Sequence, residues 1–309
     1  MARSDELRAL GDRWDHVGEE DLQSLAAGLQ TGRVESPFGR VHGRVDLRGL
    51  PVIGTAGRAT IGERAPSRRK VPANGPAWTQ LDLSGASLAQ MNWFQLILRD
   101  CVLDDANLSG LRCWGVKVLD TSMRRSVLFH AQLGAGQQSW PHRSHWHDVD
   151  LRQSDLRGAI ADARFEQIDF RNAKFTGTDL GWSDLINCQF AGVMRGLTIG
   201  RRPITDRPSS WTLQGVDLTA ARPRDLNLIG VDIGAPTVDM RFPSDSEHWM
   251  VSDWKAFLAR VAECTERLPA GRDRRASRIW LDYAQRDTGP DQTEGFVSSW
   301  DLDRLGVKR

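Results

Sequence analysis

The stretch 134–148, GAGQQSWPHRSHWHD, gathers the side chains with the most chemistry in this 309-residue chain. It holds His142, His145 and His147, three of seven histidines, together with Trp140, Trp146, Arg143 and Asp148, and His130 lies just upstream. Imidazoles trade protons near neutral pH and ligate metals. His145 and His147 are two apart, so on an extended backbone they share a face. His130, His142, His145, His147 and Asp148 are therefore the candidate catalytic residues, with Trp140 and Trp146 to shield them. The spacing matches no standard metal signature, so neither a metal nor a cofactor is expected. A second reading makes the same stretch a recognition loop, with Trp140 and Trp146 as aromatic anchors and the histidines and Arg143 as polar contacts. A third makes it a polar loop whose tryptophans pack onto the body of the protein.

Other residues invite binding rather than catalysis. Residues 193–212 carry Arg195, Arg201, Arg202 and Arg207 among Pro203, Pro208 and Trp211, a set that could grip phosphate or an acidic partner. Trp114 and Trp182 stand where large side chains should face outward, which suggests contact with another surface. Cys101 and Cys188 occupy small inward positions and read as core. The sequence holds no GxSxG, P-loop, HExxH or dinucleotide fingerprint.

Composition narrows the classes. The chain is 40% apolar and 26% charged, ordinary for a globular protein. Lys and Arg number 41 against 40 Asp and Glu, so the one-signed field of an electrostatic DNA binder or a DNA mimic is missing, and nucleic acid is not an expected partner. Four scattered cysteines make no disulfide framework. No apolar run reaches the roughly 18–20 residues of a membrane span, and the first residues lack a signal-peptide core, so a cytoplasmic location is expected.

The elements that must position these residues follow a period of five. From Leu81 the chain reads LDLSG ASLAQ MNWFQ LILRD CVLDD ANLSG LRCWG VKVLD TSMRR SVLFH AQLGA. The third place is Leu83, Leu88, Trp93, Leu98, Leu103, Leu108, Cys113, Val118, Met123, Leu128 and Leu133, and the first is mostly small or aliphatic. The pattern returns at Leu151 and Leu156. It then slips by one residue to Phe165, Phe170, Phe175, Leu180, Leu185 and Phe190, and ends in a patch around Leu218, Leu228 and Ile233. Places one and three of a short extended segment point to one side, while the other places turn the chain. Neither a helix nor a long strand sustains that spacing, but a coil bending at every block and stacking about 4.8 Å above the last one does.

These blocks resemble the pentapeptide-repeat family, whose motif is A(D/N)LXX with a central Leu or Phe. The resemblance covers residues 81–234. It implies an all-β solenoid, a right-handed quadrilateral β-helix with four blocks per coil. Some members of that family protect DNA gyrase and look like duplex DNA, with a strongly negative surface. Residues 77–234 here carry 17 acidic and 17 basic side chains.

The flanks read as helical. Leu7, Leu10, Trp14, Leu22, Leu25 and Leu29 fit helices over residues 4–31, and 37–80 is an irregular lead-in where Val45-Asp46-Leu47 could be a stray first block. After the repeats, Trp254, Phe257, Leu258 and Val261 define a helix over 252–268, and Ile279, Trp280 and Tyr283 one over 276–286. The expected organisation is a helical flank (1–36), the lead-in (37–80), the repeat region (81–234) with insertions at 134–148 and 193–212, and a C-terminal unit (235–309) that caps the rod, pairs two copies, or both. The leading functional expectation is a non-catalytic scaffold for a protein or small-molecule partner. Gyrase protection and an enzyme built on residues 130–148 are the alternatives.

Overall fold

A computed structural model describes residues 2–52, 59–62, 75–134, 142–200, 212–288 and 292–305. Trp140, Arg201, Arg202 and Trp211 lie outside the described residues. Between Val45 and Arg241 the chain returns on itself, each short segment pairing in parallel with the next coil, usually four blocks on, as Ile97 does with Lys117. Four such ladders run side by side. The first joins Asp46, Asp82, Val102, Ser122, Asp150, Asp169, Gln189 and Asp217. The second joins Ser87, Asn107, Val127, Asp155 and Lys174, and the third Asn92, Arg112, Gln132, Ile160, Asp179 and Thr198. The fourth runs through Trp78, Leu98, Val118, Trp146, Phe165, Leu185 and Leu213.

Period-two geometry sends the residue after each of the first three ladders inward. Leu47, Leu83, Leu103, Leu151 and Phe170 are wholly buried behind the first, Leu108 and Leu156 behind the second, and Trp93 and Leu133 behind the third. Each such Leu or Phe contributes about 1.5–3 kcal/mol of burial. Between ladders the backbone turns through the left-handed region. Asp105, Arg125 and Asn172 do so after the first ladder, Gln90 and His130 after the second, and Asp100, Asp120, Asp148 and Asn187 after the fourth. Short polar side chains tolerate that conformation best, which explains the Asp and Asn at block ends.

The corner between the third and fourth ladders opens on a glycine in three coils, at Gly62, Gly134 and Gly200. Each is a glycine because a Cβ would strike a carbonyl of the neighbouring coil: Phe94 at 2.1 Å, Asp162 at 2.2 Å and Ile229 at 2.6 Å. Coil length varies accordingly. Lys117 pairs back to Ile97 and onward to His145, so the second of these coils is the longer, and the coil from Leu185 to Leu213 is lengthened in the same way. The coil from His145 to Arg164 falls one residue short of four full blocks.

Both expected insertions prove shorter. Ser144–Asp150 is a strand of the fourth ladder, paired on both sides, so the second half of the expected loop is part of the coil. Gln189–Ile199 is likewise a strand, pairing with Leu213–Leu228. The repeat region also starts before residue 81, because Val45 and Asp46 pair with Leu81 and Asp82.

Helices α1 (Ala2–Asp12) and α2 (Glu19–Thr31) close the first coil. Helix α1 lies along one corner, its Leu10 carbonyl against Gly49, Leu7 against Gly85 and Arg3 hydrogen-bonded to Asp105. From α2, the Leu29 carbonyl accepts the Trp78 indole N–H at 2.9 Å. Arg13 clasps the Asp46 carboxylate through two bonds of 2.8 and 2.7 Å, and the Trp14 indole donates to the Arg48 carbonyl. At the other end, α3 (Trp254–Arg267), α4 (Arg272–Asp287), α5 (Ser299–Leu305) and an antiparallel pair of strands, His248–Val251 with Gly295–Ser298, form a unit with its own core, including Leu258, Val261, Leu281 and Val297.

Candidate binding surface

The third corner and the outer side of the fourth ladder collect most of the described candidate residues. Side chains at Ile97, Lys117, His145 and Arg164 form one outward row and Arg99, Leu119, His147 and Glu166 a second, while Asp184 and Ile186, next in register, are buried. His145 and His147 share this face, their rings 6.0 Å apart. His145 Nε2 sits 3.4 Å from a Glu166 carboxylate oxygen. Burial lowers the His145 pKa by more than that carboxylate raises it, so the ring is held neutral at physiological pH.

At the corner itself Arg143 is fixed rather than free. Its guanidinium lies 2.5 Å from Asp184 and 3.3 Å from Asp162, and it donates to the Trp182 carbonyl. Trp182 is half-buried there. Trp114, also half-buried, stacks on Phe94 of the coil below with centroids 4.5 Å apart and planes within 7°. The aromatic surfaces expected to face outward are therefore shared between the coil stack and solvent.

Trp146 corrects the sequence expectation. It is wholly buried between Val118 and Phe165 in the fourth ladder, and its indole N–H donates to the Leu133 carbonyl at 3.1 Å. A side chain in that position anchors the core and no partner.

The candidate catalytic group is not assembled. Asp148 is a left-handed corner residue beyond the fourth ladder. His130 occupies the corner between the second and third ladders, its ring 4.0 Å from Phe129 and against Gly158. His142 is exposed at the third corner. Among the described residues no three His, Cys, Asp or Glu side chains converge as a metal site would require. Burial pushes the Cys101 thiol up to about 11 and Cys188 up to about 12, so both stay protonated and serve as core.

Charge balance has a local cause. In the phrases Asp-x-Arg the carboxylate accepts the backbone N–H two residues on and grips that residue's guanidinium: Asp46 with Arg48, Asp150 with Arg152, Asp155 with Arg157 and Asp169 with Arg171. Asp46, Asp150 and Asp169 of the first ladder are thus neutralised where they stand. Burial would raise the Asp150 carboxyl, but hydrogen bonds from Arg152 and Arg124 outweigh it and hold the pKa at about 2. No described helix is long and apolar enough to cross a membrane.

The pentapeptide-repeat family model matches residues 147–192 in eight copies. No curated protein matches the sequence. Among solved structures, HetL from the cyanobacterium Nostoc, a pentapeptide repeat protein involved in heterocyst differentiation regulation, is 17% identical. That match covers 56% of this chain and 85% of HetL, with a TM-score of 0.28. QnrB1, a plasmid-mediated fluoroquinolone resistance protein, is 12% identical over 54% of this chain and 90% of its own, TM-score 0.23. A pentapeptide repeat protein of the Arabidopsis thaliana thylakoid lumen is 20% identical over 33% and 60%, TM-score 0.14. With eight copies matched in 147–192 and the same five-residue spacing on either side, this chain carries pentapeptide repeats.

Proposed function

We propose that the repeat region is a right-handed four-sided β-helix acting as a non-catalytic scaffold, and that it holds a protein partner along its third corner and fourth face. One observation carries the reading. Residues spread from Trp114 to Trp182 in sequence line one edge, where the half-buried Trp114 and Trp182, a fixed Arg143 and the His145–His147 pair adjoin Leu119. Aromatic, Arg and aliphatic side chains on a rigid surface are the composition of protein interfaces. The four-block return of the ladders supports the β-helix.

A photoreactive residue at position 147 should cross-link a specific partner in the native cell, whereas one at Asn172, on the diagonally opposite corner, should not. Equal labelling from both positions would discard the assignment of the face. The gyrase reading makes its own demand. Because Arg side chains neutralise Asp46, Asp150, Asp169 and Asp217, no rescue of gyrase supercoiling from a quinolone is expected, and measurable rescue would replace this proposal.

A further inference from the structure

The last coil and the C-terminal unit flank a half-open cavity of about 560 Å³. Leu226, Leu228 and Ile233 of the last coil form one wall, and Ile279, Trp280 and Tyr283 of α4 form the other. At the opposite end of the same stack, Trp14, Leu25 and Leu29 are at most 3% exposed, so closing a coil of this shape without a hollow is within this sequence's means. Apolar side chains on the cavity remain open: Ile279 is 50% exposed and Tyr283, the chain's single tyrosine, 54%, one helical turn apart.

We infer that this cavity binds a small, neutral, flat organic molecule with at least one aromatic ring. The volume falls within the roughly 300–1,000 Å³ of ligand pockets. Trp280, edge to face with the buried Trp254 at 6.4 Å, and Tyr283, whose ring carries the Arg286 guanidinium at 4.5 Å, offer ring surfaces and edges for an aromatic guest. Charge selects against ions. Asp225 and Arg286 are the charged side chains of the described lining and carry opposite signs, so the described lining has no net charge for a ligand to balance. Thr198, Asn227 and Gln292 add neutral hydrogen-bonding groups for a polar edge of the ring system. This site is separate from the proposed protein-binding face, and either assignment can fail alone.

The test uses the full chain with Nile red as a neutral flat probe and 8-anilinonaphthalene-1-sulfonate as an anionic one. Nile red should saturate at one molecule per chain with a blue-shifted emission, and the anionic dye should bind at least about tenfold more weakly. Ala276→Trp, which fills the cavity, should weaken Nile red by about tenfold or more, and so should Tyr283→Arg on its exposed wall, whose melting temperature should match the unaltered chain. Trp182→Ala, on the other face, should leave dye binding unchanged. Non-saturating binding, or equal binding by the filled and charged variants, overturns the inference. So does light scattering that shows a dimer dissolved by Tyr283→Arg, because that face would then belong to a second copy.

Discussion

The two ends of the repeat region solve one problem in opposite ways. A stack of parallel ladders exposes backbone and core at its first and last coils, and both must be covered. At the start, Trp14, Leu25 and Leu29 merge into the same hydrophobic cluster as Leu47, Trp78 and Trp93. At the finish, the C-terminal unit keeps a core of its own and touches the last coil through contacts such as His248 Nε2, from its strand His248–Val251, with the Pro223 carbonyl at 3.4 Å. The first end is sealed by shared packing and the second is vaulted by a separate body. A cap that shares the core must melt with it. A cap with its own core can move, loosen or open a cavity without disturbing the ladders.

Trp78→Ala should give the largest effect, about 3–5 kcal/mol, because it removes a wholly buried indole, its edge-to-face contact with Trp93 and its bond to Leu29. Calorimetry should show helix and coils falling together as one transition. Separate melting of the N-terminal helices would erase the contrast between the ends.

Asp46→Asn comes next, at about 3 kcal/mol, since it leaves Arg13 and Arg48 without their shared carboxylate. Its pH dependence sharpens the comparison. Burial would raise the Asp46 carboxyl, but hydrogen bonds from Arg13 and Arg48 hold it well below the usual carboxylate range. The unfolded chain therefore takes up this proton first. Stability from the clasp is complete above about pH 4 and is lost as pH falls from there toward the native pKa, so the gap between wild type and variant should close in acid. Melting curves at neutral pH and near pH 3 would check it, and a gap that widens in acid would contradict the assignment.

Leu258→Ala should be the mildest, about 2 kcal/mol, and confined to the C-terminal unit. Hydrogen exchange should rise in α3 and α4 while amides of the ladders keep their protection. Exchange that spreads into the coils would mean that both ends are sealed alike.

Much of the repeat architecture is legible in the five-residue spacing, since Leu83, Leu103, Leu108 and Leu133 all fall inside as their block positions demand. Trp146 is misread from sequence because the coil lengthens before it, which makes the block frame restart at Val149. Reading one block further back, SHWHD, sets Trp146 at the centre, as PAWTQ does for Trp78. The strand Gln189–Ile199 is hidden by a shortened coil: Thr178 pairs with Leu197, just short of four blocks, and a fixed frame of five runs out of step. His130 and Asp148 draw attention by residue type, whereas their positions are set by backbone turning, which composition does not reveal. The cavity is beyond the sequence for a different reason. Its walls come from Leu226 and Tyr283, elements whose meeting depends on how the C-terminal unit docks, although an apolar Ile279-Trp280-Tyr283 face on the Arg-rich α4 marks one side.

The glycine-marked corner has a consequence for how this chain can vary. Ladder pairing holds the other corners to one length through most of the stack, the exception being a residue lost between Gln189 and Leu197. At the third corner the turn is lengthened before His145 and again before Leu213, and trimmed before Arg164, and the strands on both sides still meet their partners. That corner works as a splice site in the protein. Foreign peptides grafted after Gly134 or Gly200 should be displayed from a fixed edge at known heights along the stack, which makes the molecule a graduated ruler for presenting binding segments.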